Sequence, residues 1–165
     1  MLQVTFFRKT KALKVREHEG GRAFIIFASK SGDGSDKFDF SSRNSTNIVV
    51  MLSPVELAAL CLALQNPKNS FDIVHTTDND TTKTLKLTHK EDGVDLFATV
   101  KTKNDKRSAS FLLSRPEAYM LARFAQLLID KSFQERARNE VSQAEPSESE
   151  VVEEEDEVIE GFMPL

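Results

Sequence analysis

Apolar and polar residues alternate with a period of two along most of the first 113 residues; a helical period interrupts this alternation once and follows it a second time after residue 113. LQVTFF (2–7) opens as a strand. Leu13 and Val15 then alternate with Lys14, Arg16 and His18, so 14–18 is predicted as a half-buried strand, followed by 22–29. DKFDFSS (36–42) and 47–52 complete the strands expected in the first half. Ser53-Pro54-Val55-Glu56 carries an N-cap serine, a proline at the first helical position and a glutamate placed to close a capping box. Leu57, Leu60, Cys61 and Leu64 follow at helical spacing, and Asn66-Pro67 ends the run. In the second half, strands are predicted at 71–77, 85–90, 94–103 and 107–113, with a loop at DNDTT (78–82). Ser114 caps a second helix with Pro116-Glu117 behind it; Tyr119, Leu121, Ala122, Ala125, Leu128 and Ile129 recur before the charged KSFQERARNE.

The second half repeats the first. KVREHEGGRAFIIFASK (14–30) aligns on KLTHKEDGVDLFATVK (86–101) at an offset of 72: Lys14 on Lys86, Val15 on Leu87, Glu19 on Glu91, Gly21 on Gly93, Phe24 on Leu96. Each copy reads as a charged strand, an acidic glycine-bearing turn and a more apolar strand. At the strand-to-helix junctions the offset falls to 61, with Leu52 on Leu113 and Ser53 on Ser114. An excess of 11 residues in the first copy is assigned to the DGSDKFDFSSRN stretch. Two such units can close one core by packing their helices together.

Charge divides the chain differently. Residues 1–139 hold all 22 Lys and Arg against 16 acids, whereas 140–165 hold 10 acids and no base. The formal charge of −4 therefore sums a mildly basic body and a strongly acidic tail. From about residue 139 the composition also loses its aromatics until the closing Gly161-Phe162-Met163-Pro164-Leu165, so 139–165 is expected to be a disordered acidic tail with an apolar tip. No run reaches the roughly 20 apolar residues of a membrane span, and no membrane role is expected. The N-terminus, apolar before it is basic, reads as a strand and not a signal peptide. The single Cys61, on the apolar face of a helix, reads as a small hydrophobe in a reducing cytoplasmic compartment.

Motifs for catalysis are missing. His18, His75 and His89 lack metal spacing, and one cysteine cannot complete a zinc site. No glycine-rich phosphate loop follows a strand. Ser53 and Ser114 lie outside any G-x-S-x-G elbow and are explained as caps. The chain is read as a non-enzyme without cofactor or metal.

The hairpins VREHEGGRAFIIF and LTHKEDGVDLFATV and the junctions VVMLSPVELAAL and FLLSRPEAYML resemble the whirly and positive-cofactor-four superfamily of single-stranded nucleic-acid-binding proteins. The resemblance spans residues 1–131, although the KGKAALS stretch of plant whirly proteins is missing. It implies an α+β fold: two tandem units of a curved four-stranded antiparallel sheet plus one helix (ββββα twice), with repeats at 1–67 and 68–138. The tail is similar to the acidic, phenylalanine-bearing tails of bacterial and bacteriophage single-stranded-DNA-binding proteins, whose tips dock other proteins. With the compactness of the chain, a bacteriophage source is expected, acting in a bacterial host cytoplasm.

Single strands are held by cations that follow phosphates and aromatic faces on which bases stack. In the second copy Val94, Leu96, Ala98 and Val100 belong on the helix side, leaving Asp95, Phe97, Thr99 and Lys101 on the open face. The 72-residue offset carries this to Ala23, Ile25, Phe27 and Ser29. The preceding strands offer Lys14, Arg16, His18 and Lys86, Thr88, Lys90. The candidate nucleic-acid-binding residues are thus Lys14, Arg16, His18, Phe27, Lys86, Lys90, Phe97, Lys101 and Lys103. A solvated sheet face would also be rich in Lys and Thr, and an exposed Phe could serve a subunit contact or pack across a bulge. Phe162, Met163 and Leu165 are the candidate partner-binding residues. The expected function is coating of single-stranded DNA in replication or recombination, with the tail recruiting partner proteins. The alternatives are a transcription cofactor engaging a polymerase and an RNA-binding or annealing module. Homo-oligomerisation is left open.

Overall fold

The computed structural model describes residues 1–30, 37–41 and 46–143. Residues 1–129 make one compact unit, and residues from 130 on belong to a second. The elements run β1 (Gln3–Phe7), β2 (Lys11–His18), β3 (Arg22–Ser29), β4 (Ile48–Leu52), α1 (Pro54–Gln65), β5 (Phe71–Thr76), β6 (Thr82–Lys90), β7 (Gly93–Lys101), β8 (Lys106–Ser114) and α2 (Arg115–Gln143). Each half forms a four-stranded antiparallel meander, β1-β2-β3-β4 and β5-β6-β7-β8, followed by its helix.

Two expectations change. The 36–42 segment does not form a strand: among its described residues, 37–41, only an isolated bridge from Phe38 to Lys30 remains. Its backbone carbonyls are taken instead by a side chain, because the Asn47 amide donates to Asp39 O (2.6 Å) and Ser41 O (3.0 Å). The first sheet thus has the four strands that the ββββα unit implies, without the 36–42 segment among them. At the other end, α2 continues past residue 139, where the composition turns acidic, as far as Gln143. The acidic stretch from residue 144, with the tip residues Phe162, Met163 and Leu165, lies outside the described residues.

Both helices start as their sequences dictate. Ser53 Oγ accepts from the Glu56 N–H (3.2 Å) while Glu56 accepts from the Ser53 N–H (2.9 Å), a closed capping box. Ser114 and Glu117 repeat it at 3.3 and 2.9 Å. Arg8, in the β1–β2 turn, adds two more bonds, donating to both oxygens of the Glu117 carboxylate at 2.5 and 3.0 Å. Hydrogen bonding from Arg8, helped by Ser114, holds the Glu117 pKa down at about 2.

One core joins the two repeats. Leu13, Val15, Ile25 and Val50 from the first sheet, Leu85, Leu96, Ala98 and Leu113 from the second, and Leu57, Leu60, Leu121 and Ala125 from the helices belong to a single buried cluster. Polar ties cross between repeats. The Cys61 thiol on α1 donates to Ala122 O on α2 (3.4 Å), and ring nitrogens of His75 and His89 meet Glu56 Oε2 (2.6 Å) and Ala63 O (2.7 Å) on α1. The side chains of Lys83 and Arg107 donate to Val49 O (2.7 Å) and Asn47 O (3.3 Å) at the edge of the first sheet. Burial, reinforced by Arg107, lowers the pKa of the Lys83 ammonium.

Candidate nucleic-acid interface

The face of each sheet turned away from the core is set by the register of its central hairpin. In the first repeat His18 pairs with Arg22, leaving the three-residue turn Glu19-Gly20-Gly21. Both glycines sit at positive φ (74° and 75°), a conformation costly for residues with a Cβ. In the second, Lys90 pairs with Gly93, leaving only Glu91 and Asp92. A Cβ on Gly93 would lie 1.9 Å from Leu113 O, so the close approach of the β8 backbone requires glycine there. The first turn is thus one residue longer. An offset of 72 holds for β2 on β6, becomes 71 for β3 on β7, and drops to 61 for β4 on β8. Of the 11-residue excess, one residue is in the turn and ten are in the β3–β4 connection.

That single residue corrects the site. A strand shifted by one turns every side chain over. Phe27 pairs with Leu13, faces the core and is 3% exposed; Ala23 and Ile25 are buried with it. The counterpart of Phe97 is Ile26, and the open face of β3 is made by Arg22, Phe24, Ile26 and Ala28.

On the first sheet, register rows place Gln3, Arg16, Phe24 and Met51 side by side, with Thr5, Lys14, Ile26 and Val49 in the next row. The His18 and Phe24 rings meet at a tilt of 51° with centroids 4.7 Å apart, and the Arg16 guanidinium lies 5.6 Å from the Phe24 ring centre. Lys14 Nζ sits 4.5 Å over Phe40, which joins Phe7 and Phe38 in an aromatic cluster with centroids 5.8–6.5 Å apart. Ile26, though on this outer side, is only 1% exposed. Part of the first open face is therefore roofed by the chain's own phenylalanines.

The second sheet is barer. Its rows are Asp72, Lys86, Phe97, Ser110; Val74, Thr84, Thr99, Ser108; and Thr76, Thr82, Lys101, Lys106. Phe97 is 39% exposed beside Lys86, and Val74 and Leu112 are also exposed. The Thr84 and Thr99 hydroxyls bond to each other, forming a hydroxyl ladder between the cations. Where the sheets meet, a cleft of about 170 Å³ is lined by Lys11, Phe27, Ser29, Ser108 and Ser110 among others, and Lys11 Nζ reaches Ser110 O at 3.1 Å. Arg8 lies over the Phe111 ring at 4.7 Å.

The structure thus gathers Lys14, Arg16 and His18 on one open face and Lys86, Lys90, Phe97 and Lys101 on the other. Lys103 stands apart, in the exposed β7–β8 connection. Sequence reasoning missed Phe24, Arg22, Lys106 and the Phe7–Phe38–Phe40 cluster. Phe24 was accessible, since the two aligned strings differ in length by one residue at the turn. Among the described residues no group of His, Cys, Asp and Glu could hold a metal ion, and no helix is long and apolar enough to cross a membrane.

Two connected four-stranded antiparallel sheets, each followed by a helix, define an α+β fold like that of the whirly proteins. The structure of the plant transcriptional regulator PBF-2 superposes with a TM-score of 0.66 at 16% identity, covering 89% of this chain and 98% of that one. WHY3 from Arabidopsis thaliana gives 0.65 at 18% identity, covering 87% and 95%. A guideRNA-binding protein complex bound to a gRNA gives 0.56 at 15% identity, covering 78% and 88%. No protein-family model and no curated protein sequence matches the chain.

Proposed function

We propose that this protein is a non-enzymatic single-stranded nucleic-acid-binding protein that coats unwound DNA during replication or recombination. The observation that carries the reading is the pairing of a cation with a ring on each open face: Arg16 with the half-buried Phe24, and Lys86 with the exposed Phe97, each pair in direct register across a hairpin. Cations displace counterions from phosphates without reading sequence, and rings accept any base. Threonine and serine hydroxyls between them can bond phosphate oxygens. The acidic residues of 140–165 form a polyanion that competes with the strand for the basic faces, and the tip Phe162, Met163 and Leu165 recruits replication, recombination or transcription proteins.

Salt-titrated binding of single-stranded DNA, single-stranded RNA and duplex DNA tests this. Single strands should bind more tightly than duplex, with log affinity falling linearly in log salt. Equal or tighter duplex binding would sink the proposal. RNA binding is the second reading, favoured by the likeness to a protein complex bound to a guide RNA; preference for RNA over DNA of the same sequence would select it.

A further inference from the structure

Asp95 is out of place on a surface built for phosphates. It lies on the open face of β7, in register with Thr88 on β6 and Leu112 on β8, and two residues before Phe97 on the same strand face. Its carboxylate is half-buried and, among the described residues, makes no hydrogen bond and no ion pair within 4 Å, although Lys90 and Lys11 are near enough to be felt electrostatically. Burial raises its pKa, and the two lysines offset part of the rise. An acid retained to pair with Lys90 would meet its ammonium; this one does not.

A carboxylate accepts hydrogen bonds and donates none. Side chains two apart on one strand face stand ~7 Å from each other. That is close to the ~6 Å from the centre of a stacked pyrimidine, through its exocyclic amine, to an oxygen accepting from it. Cytosine offers a donor at that edge, whereas thymine and uracil offer a carbonyl oxygen that a carboxylate repels. Resting on the single-strand-binding reading above, we infer that Asp95 is a specificity-determining residue: it reads the exocyclic amine of a base stacked on Phe97 and biases the second sheet toward cytosine over thymine or uracil. The two pyrimidines are alike in size, so the ring alone would scarcely separate them.

The test compares oligo-dC with oligo-dT of equal length, and oligo-rC with oligo-rU, on the full chain. Wild type should favour the cytosine polymer about tenfold, the scale of one hydrogen bond to a charged group. Asp95→Asn, which can donate as well as accept, should bring the ratio to within about twofold, with any change in salt slope the same for both polymers. A second arm needs no variant: N4,N4-dimethylcytosine, which lacks the donor, should bind wild type no better than thymine. Equal binding of dC and dT by wild type, or a preference that survives Asp95→Asn or N4-dimethylation, overturns the assignment while leaving single-strand binding standing. Failure to bind any single strand overturns both.

Discussion

Replacing Phe97 and Phe27 by alanine, one at a time, separates a stacking platform from a core residue that the sequence makes look the same. Phe27 is 3% exposed inside the core cluster. Its truncation should cost ~3–5 kcal/mol of stability, which for a unit of this size lowers Tm by roughly 10–15 °C. Affinity per folded molecule should not change. Phe97 keeps 39% of its surface in solvent. Only its buried part, about 100 Å² of apolar surface, is lost on truncation, so ~1–2 kcal/mol of stability is expected from area. Binding should instead weaken by ~1–3 kcal/mol, about 5- to 150-fold in Kd, with the salt slope preserved because no charge is lost. Fluorescence anisotropy at several salt concentrations, paired with thermal melts, reads both quantities. Wild-type affinity in Phe97→Ala, or weakened binding by a fully folded Phe27→Ala, would refute the placement of the nucleotide path.

The cations make a separate claim. Neutralising Lys14, Arg16, Lys86, Lys90, Lys101 and Lys106 together should flatten the dependence of log affinity on log salt by ~0.7 per lost contact; an unchanged slope moves the groove elsewhere. Removing residues 144–165 takes away nine of the ten tail acids, Glu140 remaining in α2, and should tighten single-strand binding most at low salt, where attraction is least screened. Deleting only residues 162–165 should leave binding intact and abolish partner capture; capture that survives would reduce the tip to a bystander. Glu117 has a folded pKa near 2 against an ordinary 4.5, so its stabilisation is complete above about pH 4.5 and is lost as pH falls through about 2. Glu117→Gln should therefore cost ~1–2 kcal/mol at pH 7, after discounting for screening of this partly exposed pair, and should converge on wild type near pH 2. A deficit independent of pH would assign the loss to the cap geometry alone.

The repeat, the order of the elements apart from the strand expected at 36–42, and both helix starts were legible because each rests on local chemistry: strand alternation, a serine cap and a proline in the first turn. The open faces of β2, β6 and β7 were legible for the same reason, since Lys14, Arg16, Lys86 and Phe97 alternate with Leu13, Val15, Leu87 and Leu96. β3 was not. Ala23 to Ala28 is apolar throughout, so periodicity names no face, and the inherited offset chose the wrong one by a single turn residue. Phe38 and Phe40 alternate as a strand would. Their partner is a third ring, Phe7, lying far away in sequence, which no local pattern reveals. The acidic composition after residue 139 argued against order, yet α2 carries on to Gln143, because a helix already nucleated extends at one hydrogen bond per residue.

The ties that cross between repeats bear on how the protein is made. α1 ends at Gln65, but its cysteine and its Glu56 cap find partners on Ala122 and His75, and its core residues share a cluster with Leu121 and Leu128. A nascent chain that has emerged only as far as the first helix can pack α1 on its own sheet, but the groups of α1 that meet α2, β5 and β6 are still without their partners. At ~5–20 residues per second, the remaining stretch to Leu128 takes roughly 3–12 s to synthesise. The first half must wait that long, apolar and incomplete, before the second arrives to close it.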